Sequence, residues 1–148
     1  MLYYEDIEVG KVTSFGEYKV TREEALDFAH KYDPQSFHID DEAAAKTHFG
    51  RISCSGWLSA AMMMRMVVDN MNANKQAGLG SPGVDNLRWL KPVYPCDTLH
   101  CESETLSKRI SRKRPYMGIL KGRITVLNQN GDRVMTMEST GLIEVRGD

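Results

Sequence analysis

Cysteine is scarce and irregularly placed. The chain has three, Cys54, Cys96 and Cys101, an odd number with no C-x-x-C pair and no histidine at zinc-like spacing. That pattern excludes a disulfide framework or a structural metal site as the basis of the fold, and the thiols are expected reduced, in a cytoplasmic setting. Charge of one sign is also lacking: a formal net charge of −1 supplies no global field to draw in nucleic acid. No run is long and apolar enough to span a bilayer. Residues 1–11 carry acidic Glu5, Asp6 and Glu8 where a signal peptide would be basic and then apolar, so no membrane partner is expected. Repeats, low-complexity tracts and linkers are missing as well. The 148 residues, 41% hydrophobic and 26% charged, are therefore expected to form one domain over residues 1–148, large enough to bury about two thirds of the surface of its unfolded chain.

What is present begins with Thr21-Arg22-Glu23-Glu24, which has the form of a capping box. Ala25, Leu26, Phe28, Ala29 and Tyr32 follow at helical spacing, and Asp33-Pro34 ends the helix because the residue before proline disfavours the α region. An ordered loop comes next, then a short helix over Ala43 to Lys46, with Asp40, Asp41 and Glu42 at its positive end. Gly56 to Val68 is apolar nearly all round, which predicts a long helix enclosed on most sides, its methionines serving as core. After a polar, glycine-rich stretch from Asn74 to Gly83, period-two runs predict strands at about 84–90, 98–106, 117–127 and 133–145, with an earlier one at 12–20. Asn130-Gly131 marks a hairpin between the last two, and Gly118, Gly122 and Gly141 are expected at points of close approach. The expected class is α+β, a curved antiparallel sheet of about five strands wrapped around a long central helix. Sheet edges and a part of the helix left uncovered then predict a homodimer, alone or assembled further as a dimer or trimer of dimers.

The chemistry-bearing segment is Tyr32-Asp33-Pro34-Gln35-Ser36-Phe37-His38-Ile39-Asp40, between the first helix and the enclosed one. With Phe49-Gly50-Arg51-Ile52-Ser53-Cys54-Ser55-Gly56-Trp57 and Gly83 to Val93, it resembles the MaoC-like dehydratases and R-specific enoyl-CoA hydratases over nearly the whole chain. Gln35 and Ser36 depart from the asparagine and proline usual there. The resemblance implies the hotdog fold, no cofactor beyond the coenzyme A of an acyl-CoA thioester substrate, no metal, and hydro-lyase chemistry on an enoyl thioester. It implies further that Asp33 and His38 are catalytic and share one water. Adding water to such a thioester needs a group that takes a proton from the water and one that gives a proton to the α carbon; which residue does which is open at this stage. The backbone N–H near Gly56, at a helix N-terminus, is the candidate donor to the thioester oxygen.

Each site residue also has a plainer reading. Aspartate before proline is commonly a turn former, and a loop histidine a structural hydrogen-bonder. Ser55 is either a substrate contact or an N-cap, and Phe37 and Trp57 either line the acyl pocket or pack. His30, His48 and His100 are read as structural or exposed. The basic run Lys108 to Pro115 is either a solvated loop or an attraction for carrier phosphates. Within the same fold, a thioesterase would need an acidic residue on the central helix, where only Asp69 is available; a non-catalytic acyl-CoA-binding module is the remaining alternative.

Overall fold

Thr21 caps a helix as its position promises, its hydroxyl accepting from the Glu24 N–H at 3.2 Å. The reciprocal half of the capping box is not made. Glu24 instead accepts a 2.6 Å bond from the Tyr18 hydroxyl, a bond that, with burial, pushes the Tyr18 phenol up to about 12. That bond ties the first helix to the strand before it.

The computed structural model describes residues 1–147. Its elements are β1 Val12–Lys19, α1 Arg22–Tyr32, α2 Ser36–Ile39, α3 Asp41–Ala45, α4 Gly56–Ala73, β2 Gly78–Trp89, β3 Thr98–Ile110, β4 Met117–Leu127 and β5 Arg133–Glu144. The five strands form one antiparallel sheet in the order β1-β3-β4-β5-β2, and α4 packs on it over β1 and β3. Leu58, Met62, Met63 and Met66 of α4 meet Leu99, Cys101, Val126, Val134 and Met135 of the sheet in one dry core. This is the hotdog arrangement that the sequence led us to expect.

Register defines two ends of the sheet. At one end Cys101 faces Val126, Val126 faces Met135, and Met135 faces Trp89; at the other Ile110 faces Gly118, Gly118 faces Ile143, and Ile143 faces Gly78. The N-terminus of α4 lies at the first end, where the Trp89 indole touches Gly56.

Four expectations need correction. The segment after Pro34 is a single helical turn, α2, closed by the Asp40 N–H donating to Ser36 O; four residues are too few for periodicity to show. The polar stretch before residue 84 is largely strand, since β2 starts at Gly78 and keeps its pairing with β5 through three register shifts. As an edge strand it tolerates Pro82, which has no N–H to give a ladder. Third, the methionines of α4 are not all core: Met64 is exposed and forms, with Trp57, Ala61 and Val68, the stripe of the helix that one chain leaves uncovered, recurring at helical spacing opposite the buried methionines. Lastly, Gly118 does sit where a side chain would strike the Tyr4 ring, whereas Gly122 and Gly141 face no such neighbour.

The inward and outward faces of the structure separate cleanly on mutation. Met62→Ala, at 2% exposure, is expected to lower unfolding free energy by about 2–5 kcal/mol. Val12→Ala, at 57% exposure on edge strand β1, should cost no more than about 0.5 kcal/mol. Urea denaturation of the two variants checks the ordering.

Candidate active site

Three local features converge at the N-terminus of α4. Asp33 is the C-cap of α1, taken out of helical geometry at φ −150° and ψ 64° by the following proline. The turn of α2 then places His38, buried, facing back toward it. Ser55 is the N-cap of α4, accepting from the Trp57 N–H at 3.3 Å and donating its own proton to Asp33 Oδ2 at 2.6 Å. The two readings of Ser55 from sequence thus merge, because one hydroxyl both caps the helix and holds the carboxylate.

Asp33 is held at both oxygens. Gln35 Nε2 donates to Oδ1 at 2.7 Å, so the residue that departs from the family pattern grips the carboxylate. Burial by itself would raise the Asp33 pKa, but the bonds from Ser55 and Gln35 and the charge of a protonated His38 outweigh it, holding the carboxyl below its ordinary value.

His38 is oriented from the other side. Its Nδ1 lies 2.7 Å from the backbone carbonyl of Ser53; a carbonyl only accepts, so Nδ1 carries the proton. In the neutral ring Nε2 is then a bare acceptor, 3.4 Å from Asp33 Oδ2. Two acceptors at that separation suit a shared molecule with two protons to donate, and water is the smallest.

The other residues distribute as follows. Asp33, His38, Gly56 and Trp57 border a cavity of about 550 Å³, together with Gln35, His48, Phe49, Ser53 and the Trp89–Val93 segment. Phe37 does not border it: the ring stands edge-on to His38, with centroids 4.6 Å apart, and packs on Phe49. Trp57 is at the rim, 58% exposed, in edge contact with Trp89. Gly56 leaves room for the Trp89 indole. A Cβ there would lie 2.5 Å from the Trp89 indole, whose Nε1–H donates to Gly56 O at 2.8 Å. The Gly56 N–H itself finds no protein acceptor among the described residues, as befits the first turn of a helix.

Sequence reasoning missed Trp89, Ser53 and the grip of Gln35. A tryptophan on a strand reads as packing, and Ser53 acts through a main-chain carbonyl that residue type cannot advertise. Among the described residues its buried hydroxyl finds no hydrogen-bond partner. Among the described residues no cluster of histidine, cysteine, aspartate and glutamate could hold a metal ion, and no helix is long and apolar enough to cross a membrane.

The sign of the Asp33 shift makes a testable statement. A lowered folded-state pKa contributes stability that is present above the ordinary carboxylate value and is lost as pH falls through the folded value. Removing a donor to the charged form must raise that folded value. In Ser55→Ala, the Asp33 carboxyl carbon followed by NMR is expected to titrate at higher pH than in the wild-type chain, and an unchanged or lower midpoint would overturn the role given to Ser55.

Comparison with known proteins joins this geometry to a family. Residues 6–126 match the MaoC like domain. The crystal structure of a MaoC-like dehydratase from Rhodospirillum rubrum is 32% identical, with a TM-score of 0.88 and complete coverage of both chains. An uncharacterized Bacillus subtilis protein, YdeM, is 29% identical over 140 residues, 95% of this chain and 97% of its own. The unliganded R-hydratase PhaJ1 from Pseudomonas aeruginosa is 25% identical, with a TM-score of 0.66 over 99% of this chain and 91% of that one. With its sheet, its central helix and this extent of match, the chain belongs to the MaoC-like domain family.

Proposed function

We propose that the protein hydrates a trans-2-enoyl thioester, reversibly, to the R-3-hydroxyacyl thioester. The observation that carries this reading is the pair of acceptors, Asp33 Oδ2 and His38 Nε2, 3.4 Å apart beside the free N–H of a helix N-terminus. A water donating to both would be fixed over the β carbon. Its oxygen bonds to that carbon, the π pair of the double bond moves toward the α carbon and the thioester oxygen, and one water proton leaves to the base. A carboxylate held below the usual range is the poorer base, so Nε2 of His38 takes the proton and Asp33 orients the water. The same Nε2–H then protonates the α carbon, and the Gly56 N–H meets the charge on the thioester oxygen in between. Because one group takes and returns the proton, both additions fall on one face. No cofactor enters beyond the carrier of the acyl group, and the free cysteines fit a cytoplasmic setting.

The thioesterase alternative loses its acid. Asp69 is exposed and paired with Arg65 at 3.0 Å, far along α4 from the cavity. Hydration of crotonyl-CoA, followed by loss of the conjugated absorbance, tests the proposal. Asp33→Asn and His38→Gln are each expected to lower turnover at least about a hundredfold and to combine non-additively, with R product resolved by chiral chromatography. Near-wild-type rates in either variant, a mainly S product, or release of free thiol would sink it; binding without turnover would favour the non-catalytic module.

The proposal includes a homodimer. The stripe Trp57, Ala61, Met64 and Val68 runs about 17 Å along α4 and is apolar yet exposed. It adjoins a groove of about 880 Å³ lined by Phe15, Met64, Val67, Leu120, Ile124 and Met137, while edge strand β2 has an unpaired side. A second copy related by a two-fold axis, its α4 reversed against this one, covers stripe, groove and edge in one isologous contact. Sedimentation at micromolar concentration is expected to give a dimer or a multiple of it, and Met64→Glu to shift the species toward monomer; a stable, active wild-type monomer would contradict this.

A further inference from the structure

The hairpin between β3 and β4 carries charge that the fold does not use. Lys108 is committed, its Nζ donating to Tyr4 O at 3.1 Å and Ile7 O at 2.7 Å. Arg109, Arg112, Lys113 and Arg114 are exposed, and among the described residues none of the four enters an ion pair. Four unneutralised cations, one at the end of β3 and three in the turn after it, crowd one hairpin of a chain whose formal net charge is −1. Like charges in proximity repel, and a bound anion would relieve that repulsion.

Within one chain the tip cannot serve the cavity. It extends beyond the Ile110–Gly118 end of the sheet, while the cavity lies at the Cys101–Trp89 end, a strand path of roughly 30 Å at about 3.3 Å per residue. A two-fold dimer changes the distance. Reversing the partner's α4 and β2 against this chain's sets the partner's Gly78 end beside this chain's Trp89, so the partner's basic tip comes to the cavity end. Sideways, β4 of the partner is then three strand steps from this chain's β2, about 14 Å at the usual spacing.

We infer that the basic tip of each protomer binds the phosphates of the coenzyme A carrier whose thioester occupies the partner's cavity. This rests on the hydratase and dimer readings above. The carrier would leave the cavity past the Trp57–Trp89 rim, its flexible arm crossing to the tip. There the planar guanidiniums of Arg112 and Arg114 suit bidentate contact with phosphate, and Lys113 adds a point charge. The carrier class follows, because recognition by phosphate favours a nucleotide-bearing thioester over the pantetheine arm alone.

The test neutralises the tip with Arg112→Gln, Lys113→Gln and Arg114→Gln together, all on exposed side chains, in the full chain. Calorimetric titration with free coenzyme A is expected to show affinity falling at least about tenfold. KM for crotonyl-CoA should rise similarly at constant kcat, while KM for crotonyl-pantetheine stays unchanged. Unaltered coenzyme A affinity, an equal loss on the pantetheine substrate, or a loss confined to an acyl carrier protein thioester would overturn the proposal. Placement across the dimer is read from mixed dimers of the triple variant with Asp33→Asn, in which one functional cavity faces one intact tip. Wild-type KM at up to half the turnover is expected; the weak KM of the triple variant would overturn it. If crotonyl-CoA is not hydrated at all, the hydratase reading fails, and the calorimetry still decides whether the tip binds the carrier.

Discussion

The Ser55 hydroxyl is the point on which the site depends. It accepts from the first turn of α4 and donates to Asp33 Oδ2, so a single oxygen joins the central helix to the segment that carries Asp33 and His38. Two residues earlier the chain supplies the Ser53 carbonyl to His38 Nδ1. The short segment entering α4 therefore fixes Asp33 by a side chain and His38 by its backbone. Neither Asp33 nor His38 could hold its angle alone, since the first caps a helix end and the second rides on a single turn.

Burial completes the arrangement. His38 is shielded by Phe37 and Phe49, whose rings pack around the imidazole, so Phe37 supports the site from behind without bordering the cavity. In such surroundings a hydrogen bond is electrostatically stronger than in water, and an unpaired group is correspondingly costly. That is why both oxygens of Asp33 have donors, and why the pair of facing acceptors calls for a protic guest.

Much of this was legible from residue order. The cap at Thr21, the stop at Asp33-Pro34 and the central helix follow from local rules, and five strands follow from period-two runs and turn residues. The spacing of Asp33 and His38 and the Ser-Gly-Trp helix start pointed to the residues that converge at the head of α4. What stayed hidden depends on three-dimensional company. An outward stripe on α4 cannot be told from an inward one when both are apolar, because the pattern carries no information on which side the sheet lies. The start of β2 was masked by Gly78, Gly80, Ser81, Pro82 and Gly83, residues that ordinarily break strands but are held here by β5. The partner of Gly56 also stayed hidden, since nothing local to it announces an indole arriving from a strand thirty-three residues away.

That indole has a consequence for how the sequence can vary over time. Trp89 fills the volume next to Gly56 and is anchored on its carbonyl. Any larger residue at 56 must displace the ring, and any smaller one at 89 opens a void at the head of α4 and frees a carbonyl. The two positions are thus heritable only as a pair. Among descendants of this chain, a side chain should appear at 56 only where the tryptophan at 89 has already given way.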